Sequence, residues 1–590
     1  MLTIKSLIAE KILSGVSAIA ADNGLDTATV TQWLEYPPDA SMGDLAFPCF
    51  RLSKTLHRLP AQIAETLSQS LNDGSCPCVQ SAENVNGYLN IRLSPAYLVN
   101  RVVPEILEKK DSYGAPSLGQ GKTVVLDYSS PNVAKPFHIG HLGTTVIGHS
   151  LKKLHQFAGY HCIGINYLGD WGTQFGKLIV AYRHWGNREM IETGGIDKLV
   201  ELYVRINNEI SGDAEKRIAP NTALADEARA EFHKLELGDA ENLSLWRWFV
   251  DISLKEYEKT YRQLGITFDS YKGESFYTDK MPAQVQKLRD LGLLTISDGA
   301  SIVNLDQYNM PPCLILKRDG STLYPTRDIA AAVYRKEHYH FDKAIYVTSA
   351  AQSLHFAQWF KVVELMGYDW ANELVHVPYG TVSLNGAKLA TRTGNVVLLR
   401  DLFAAAIAKV RSIMEEKNPE LENMEEAAEA VGVGAVVFYY LSNNRMKDIN
   451  FVMEDALSFD GNTGPYVQYT YARTCSILTR AKATLGWDEN ACKNEKLTAP
   501  VLVSEEMELL KTLSRFEECV LSALRNYEPS EITRYILDIA VAFNRFYHDC
   551  PILSAEDSVV RDFRLRLTAA TRIVLGSAFD LICLRKIEKI

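Results

Sequence analysis

The stretch SSPNVAKPFHIGHL, Ser129 to Leu142, places Lys135, His138, Gly140 and His141 close together and brackets them with prolines. Two imidazoles three positions apart share one face of a helix and can meet one ligand. At a helix start they join free backbone N–H groups and the positive end of the helix dipole, a setting that favours an anion such as a phosphate chain. Gly140 puts no side chain in the way of close approach, and Lys135 adds a positive charge. The chemistry suited to this set is binding a polyphosphate and stabilising the charge that builds on it, with positioning rather than a nucleophile doing the work. An isolated H-x-G-H serves a helix cap equally well, so the flanking elements decide.

Thr123 to Tyr128 is a short apolar run after a Gly turn and suits a buried parallel strand. A helix is expected from about His141 to Ala158, and YHCIGINYLGDWG then supplies a second apolar run ending in a Gly-rich turn. Strand, helix, strand makes a βαβ unit, and the histidine stretch leaves the first strand at its carboxyl end, the usual ligand position of an open α/β sheet. Residues 186 to about 265 are charged with helical period and read as a helical insertion on the sheet. Strand and helix alternation resumes in FDKAIYVTSAAQSLHFAQWFKVVELMG and LVHVPYGTVSLNG. The expected architecture is a multidomain α/β protein: a doubly wound, Rossmann-like parallel-sheet domain over 113–425, an N-terminal α+β domain over 1–112, and an all-α helical bundle over 426–590.

At 590 residues the chain exceeds one core, and 47% hydrophobic with 23% charged residues supplies ample material for several. No apolar run approaches the roughly 18 residues of a membrane span, and the first helix interleaves charges, so a cytoplasmic protein with no membrane partner is expected. The ten cysteines are scattered. The close pair Cys76-Pro77-Cys78 lacks the second pair or the histidines of a structural zinc site, so reduced thiols, no zinc and no resident metal are expected. A net charge of −10 argues against a nucleic-acid partner unless a local face provides the basic footprint.

With its flanks, SPNVAKPFHIGHL resembles the ATP-binding HIGH motif of the class I aminoacyl-tRNA synthetases, and specifically of their arginyl branch. INYLGDWGTQFGKL, LYPTRDIAAAVYR, SAAQSLHFAQWF and GNTGPYVQYTYAR resemble that branch's later blocks in the same order. MGDLAFPCFRLSK and NVNGYLNIRL are similar to its extra N-terminal domain. The resemblance implies ATP-dependent activation of L-arginine to arginyl-adenylate, then transfer to the 3′ end of tRNA(Arg). His138, Gly140 and His141 would hold ATP, and Mg2+ would arrive with the nucleotide. The second class I motif, KMSKS, departs here: NGAKLATRTGNVV sets Lys388, Leu389, Ala390, Thr391 and Arg392 in its place, so the second lysine is missing. The resemblance makes Lys135 its substitute as a catalytic residue beside His138 and His141, and leaves Lys388 and Arg392 as ATP-binding candidates.

A guanidinium is a planar cation with five donors and calls for carboxylates and neutral acceptors. By resemblance the arginine-binding set is Asp127, Asn132, Tyr324, Asp328 and Gln352, while Asp170 is a turn-forming alternative. Aromatics interleaved with arginine suit unstacked bases. The resemblance makes Tyr466, Tyr469, Tyr471 and Arg473, with Arg545 and Tyr547 later, the expected tRNA-binding face of an anticodon-binding bundle, and Tyr88 and Asn90 that of the N-terminal domain. A monomer is expected. A different nucleotidyl-transfer enzyme would need neither the bundle nor a guanidinium site, and a catalytically dead RNA-binding paralogue would show erosion of Lys135, His138 or His141.

Overall fold

The computed structural model describes residues 1–19, 24–212, 220–384, 387–388, 397–489 and 501–590, the pair 387–388 by backbone alone. The N-terminal region opens with helix α1 (Leu2–Ile19), strand β1 (Leu45–Pro48) and helix α2 (Pro60–Leu71). α2 buries Ile63, Ala64, Leu67 and Leu71, one stripe at helical spacing. Strands β2 (Val79–Val85) and β3 (Tyr88–Leu93) then form a hairpin. Its two-residue turn, Asn86-Gly87, takes positive φ at both positions, the geometry that matches strand twist. The antiparallel sheet has the order β1-β3-β2. Helix α3 (Pro95–Lys109) closes the region, capped by Ser94 Oγ and started by a proline.

The sheet that positions the histidine stretch begins with β4 (Thr123–Asp127), α4 (Leu142–Phe157) and β5 (His161–Ile165). Four helices follow: α5 (Thr173–Trp185), α6 (Arg188–Ser211), α7 (Thr222–Glu236) and α8 (Ala240–Leu264). A small antiparallel sheet of β6 (Leu294–Ser297), β7 (Ala300–Val303) and β8 (Cys313–Leu316) precedes α9 (Tyr324–Tyr339), β9 (Lys343–Ser349), α10 (Ser353–Leu365) and β10 (Leu374–Tyr379). The main sheet is parallel, in the order β10-β9-β4-β5. Its chain order reverses between β4 and β9, so the loops leaving these two strands open the crevice in which such sheets bind ligands. The expected insertion at 186–265 is helical, but α8 does more than decorate the sheet: it runs back beneath the loop that follows β4.

Strands β11 (Val382–Leu384), β12 (Ala387–Lys388) and β13 (Ile449–Phe451) form a third sheet, with β13 parallel to β11. Helix α11 (Leu399–Lys417) packs on the Ala/Val-rich, largely buried α12 (Met424–Leu441). Beyond lie α13 (Gly464–Leu485), α14 (Ser504–Ser514), α15 (Phe516–Asn526), α16 (Ser530–Asp549) and α17 (Ser558–Leu581). The border expected at 426 falls inside α12, and β13 reaches back to pair with β11, so sheet domain and bundle share elements rather than meeting at a linker. One continuous core joins the N-terminal region, one face of the main sheet and the bundle; α9 and α10 cover the other face. The N-terminal region docks on the bundle through polar ties: Lys5 to Glu518 at 3.3 Å, Tyr36 Oη donating to Glu518 at 2.6 Å, and a Lys511–Asp44 ion pair. Among the described residues no helix is long and apolar enough to cross a membrane.

Candidate active site

Between β4 and α4 the chain takes left-handed φ at three non-glycine residues, Ser129 (71°), Ser130 (47°) and Ala134 (57°). Each costs about 1–2 kcal/mol and persists only where neighbours over-determine it. They do. Ser129 N–H donates to Thr144 Oγ1 (3.0 Å) and its hydroxyl meets Tyr261 Oη (2.7 Å). Ser130 N–H donates to Asn166 Oδ1 (3.1 Å), Ser130 Oγ–H to Asp127 (2.8 Å), and Ala134 N–H to Ser253 Oγ (3.1 Å). The loop is a built platform.

The two imidazoles stand at its far end with ring centroids 4.0 Å apart. His138 Nδ1 accepts from Gly140 N–H (3.0 Å) and His141 Nδ1 accepts from His138 N–H (3.2 Å). A ring nitrogen that accepts carries no proton, so each neutral ring is the Nε2–H tautomer, with Nε2–H left as its donor. Burial, then the charge of Lys135, holds His138 down at about 4; burial, then His138, holds His141 down at about 3. At neutral pH the pair therefore offers dipolar donors, and the positive charge beside it comes from Lys135. Sequence logic kept Gly140 small for a ligand; the structure adds a nearer reason, since a Cβ there would lie 2.8 Å from the His138 ring. The segment beyond the divergent second motif lies against the same loop: Ile139 N–H donates to Val397 O (3.2 Å) and Leu399 N–H to Phe137 O (2.9 Å). The side chain of Lys388 and the whole of Arg392 lie outside the described residues; the Lys388 backbone pairs with Ser383.

At the mouth of the same crevice the carboxylates arrive already partnered. Asp127, at the end of β4, is buried and pairs with Arg335 of α9 at 2.8 Å; burial pushes the carboxyl up and the guanidinium works against it. The expected free carboxylate is thus half of a buried ion pair, with Arg335 lying over the rings of Tyr167 and Tyr346. Asp328 accepts from His355 Nε2 at 2.6 Å, while Arg327 turns to Glu274 at 2.5 Å. Burial raises Glu274 to about 7 against the pull of Arg327. Tyr324, 66% exposed, and the exposed Gln352 and Asn132 are the open polar groups of the set. Asp170 has a structural role: it accepts from Ser275 N–H (2.8 Å) and Oγ–H (2.6 Å), joining two loops.

In the bundle, Tyr469 (44% exposed) and Tyr547 (45%) flank Arg473, whose guanidinium lies 5.0 and 4.8 Å from their ring centres. Asn544 joins the set, accepting from Arg473 and donating to Tyr466 Oη at 2.9 Å. Tyr469, Arg473 and Tyr547 line a groove of about 1170 Å³ with Arg480 and residues 586–590. Arg545 is exposed outside that lining. Tyr471 departs from expectation: it is buried against Phe579 and belongs to the core. Asn90 departs too. It is 6% exposed in the central strand β3, opposite Ala46 and Glu83, so the hairpin turn is Asn86-Gly87 and Asn90 has no open face for RNA. Tyr88 remains open, edge-on to Phe50 at 5.5 Å.

Sequence reasoning passed over Glu274, Arg335, His355 and the α8 residues Ser253, Tyr257 and Tyr261. The last three recur every four residues along one helix face, a signal legible in the sequence. The acidic and basic partners carry no such signal, because loops and strands far apart in the chain bring them together. The nine cysteines among the described residues form no disulfide, and no group of three or more His, Cys, Asp or Glu among those residues is arranged to hold a metal.

Family descriptions match three segments: "Arginyl tRNA synthetase N terminal domain" at residues 3–93, "tRNA synthetases class I (R), catalytic domain" at 102–453, and "DALR anticodon binding domain" at 467–590. An arginine–tRNA ligase of Alkaliphilus metalliredigens is 49% identical over 566 residues, covering 96% of this chain and 97% of its own. One of Clostridium perfringens is 46% identical over 585 residues, covering 99% of both. The solved arginyl-tRNA synthetase of Thermus thermophilus is 26% identical with a TM-score of 0.77, covering 94% of this chain and 96% of its own. That of Plasmodium falciparum, at 22% identity, shares the fold with a TM-score of 0.79 over 99% and 98% of the two chains.

Proposed function

This chain belongs to the class I arginyl-tRNA synthetases, and on that premise we propose how its residues divide the work of joining arginine to tRNA. It is an arginine–tRNA ligase: ATP and L-arginine give arginyl-adenylate and pyrophosphate, and the tRNA ribose then takes the arginyl group. His138 and His141 direct their Nε2–H donors to the phosphates, and Lys135 places its ammonium against the pyrophosphate as it leaves, the role of the lysine that the second motif lacks. Charge develops on those phosphate oxygens in the transition state, so donors fixed beforehand lower the barrier without reorganising. Lys388 and Arg392 of the second motif are assigned to the nucleotide by resemblance alone.

The guanidinium of the substrate sits over the partnered acidic crevice. Asp127 and Glu274 form its wall, each held in place by an arginine, Arg335 and Arg327. Asp328, Tyr324, Asn132 and Gln352 supply acceptors at its open side. Magnesium enters on the nucleotide, since the nearby carboxylates are engaged by arginine or histidine. tRNA lies along the Tyr466, Tyr469, Arg473 and Tyr547 face at one end and Tyr88 at the other. The protein works as a monomer in the cytoplasm. One observation supports the whole division most directly: the donor pair with Lys135 and the acidic crevice open at the same switch between β4 and β9.

Arginine-dependent exchange of pyrophosphate into ATP, measured with and without bulk tRNA, tests it. Exchange by the wild type that collapses in Lys135→Ala is expected. No exchange with arginine under either condition would overturn the assignment of activity, and a fully active Lys135→Ala would overturn the role given to that lysine.

A further inference from the structure

We propose that Tyr257 of α8 is a positioning residue for arginine activation, holding in register the loop that carries Asn132 and Lys135. The role rests on the function proposed above. Tyr257 is fully buried, and its hydroxyl lies within donating distance of two carbonyls, Asn132 O at 2.9 Å and Lys135 O at 2.7 Å. One O–H carries one proton, so the two carbonyls share it. They bracket Ala134, whose left-handed backbone is tied from the other side by Ser253 Oγ at 3.1 Å. Tyr261, one turn further on, takes Ser129 Oγ at 2.7 Å and Asn166 Nδ2 at 3.0 Å. Ser253, Tyr257 and Tyr261 thus grip the chain from Ser129 to Lys135 at three points along one helix edge.

Tyr257 is the middle grip, and the peptide it spans joins a residue placed at arginine to a residue placed at the leaving phosphates. A left-handed alanine relaxes when it is no longer over-determined. Loss of the hydroxyl therefore frees the Lys135 backbone without touching substrate. The ring packs against Phe137 at 5.4 Å, so phenylalanine retains the packing and removes only the donor. Burial pushes the phenol far above its ordinary range, so Tyr257 acts by holding and not by moving a proton.

The test is the double-mutant cycle of Tyr257→Phe with Lys135→Ala, read as kcat and KM in arginine-dependent pyrophosphate exchange with tRNA present, alongside the thermal midpoint. Tyr257→Phe alone is expected to lower kcat between about 10- and 100-fold, the cost of misplacing a group by a fraction of its reach, with KM for ATP much less changed. In the Lys135→Ala background the same substitution is expected to cost clearly less than it does alone, because one of the two groups it positions is gone. A purely structural tyrosine would give losses that multiply. Multiplying losses, or a Tyr257→Phe enzyme with unchanged kcat, would overturn the proposal. If Tyr257→Phe does not fold, Ser253→Ala takes its place in the same cycle and is judged by the same two outcomes. An inactive wild type would instead sink the proposed function itself, and so the two failures are told apart.

Discussion

The loop around His138 and the groove around Arg473 both mix aromatic rings, histidine or arginine, and amide side chains, yet they treat those groups in opposite ways. Around His138 the polar atoms of the loop are spoken for and the rings are half-buried or buried, so charge is stripped away until the imidazoles are neutral. Around Arg473 two tyrosines stand nearly half exposed with the guanidinium stacked between them. On the proposed function, the difference follows from what each meets. A phosphate in transition needs donors fixed in place beforehand. A base that unstacks and arrives from solvent needs an open ring and a screened, adaptable charge. The first region should therefore fail by losing fold and rate together, and the second by losing affinity alone.

The largest break in that contrast is expected at Asp127→Asn. It removes the charge facing Arg335, which is 1% exposed, and leaves that guanidinium buried without its partner. Breaking one side of a buried pair costs about 3–5 kcal/mol. Chemical denaturation should show that loss, and arginine-dependent exchange should fall with it. A variant as stable as wild type would mean that the pair is relieved by water and is not the fixed wall described here.

The histidines give the next effect, and its sign is set by their depressed values. His141 titrates near 6.5 when unfolded and at about 3 when folded. Below pH 6.5 the unfolded chain takes up a proton that the folded chain refuses, so the stability present above 6.5 is lost as pH falls toward 3. Between pH 7 and 5 this one imidazole accounts for about 2 kcal/mol. His141→Asn keeps an acceptor for the His138 N–H and cannot titrate, so its unfolding curves at pH 7 and pH 5 should lie closer together than those of the wild type. An unchanged separation would mean that other buried histidines, such as His149 and His155, carry the acid sensitivity.

The groove should answer differently. Arg473→Ala removes the guanidinium between Tyr469 and Tyr547 and takes the donor from Asn544 Oδ1, while Asn544 Nδ2 keeps Tyr466 and Thr470. Losing the support of one stacked base at about 1–3 kcal/mol should raise KM for tRNA about tenfold in aminoacylation, with kcat at saturating tRNA kept. A fall in kcat with KM constant would erase the contrast, because it would make the groove part of the catalytic machinery.

What the sequence disclosed follows the same division. The βαβ unit, the placement of Lys135, His138 and His141 at its switch point, and the helical bundle rest on periodicity and on local turn chemistry, both of which are written in neighbouring residues. The partners of Asp127, Asp328 and Arg327 are not. Arg327 and Asp328 are sequence neighbours of opposite charge, but side chains at i and i+1 of a helix point apart, and the structure sends Arg327 to Glu274 and Asp328 to His355. Tyr471 was read with Tyr469 because the motif is contiguous, yet two positions on a helix is more than half a turn, and one ring faces solvent while the other faces Phe579. Asn90 departs for another reason: two positions apart on strand β3 it shares a face with Tyr88, but Tyr88 stands beside the Asn86-Gly87 turn and is open, whereas Asn90 lies further along the central strand between Ala46 and Glu83 and is covered.

Tyr88 supplies the smallest expected effect and the sharpest question about the comparison. It is 37% exposed and meets the ring of Phe50, itself 50% exposed, so the pair forms an open aromatic edge on the N-terminal sheet. Among the described residues no arginine stacks on this edge, in contrast to the groove, so an RNA contact here gains a ring face without a neighbouring cation. A contribution at or below the lower end of the stacking range, about 1 kcal/mol, corresponds to a rise of no more than about fivefold in KM for tRNA on Tyr88→Ala. The thermal midpoint should barely move, since an exposed ring leaves little cavity. A rise of that size, multiplying with the effect of Arg473→Ala, would mean that the two faces touch the tRNA independently at separate places. No rise at all would leave recognition to the groove, and the docking of the N-terminal region on α14 and α15 through Lys5, Tyr36 and Asp44 would then be its main contribution, a brace for the bundle rather than a second hand on the tRNA.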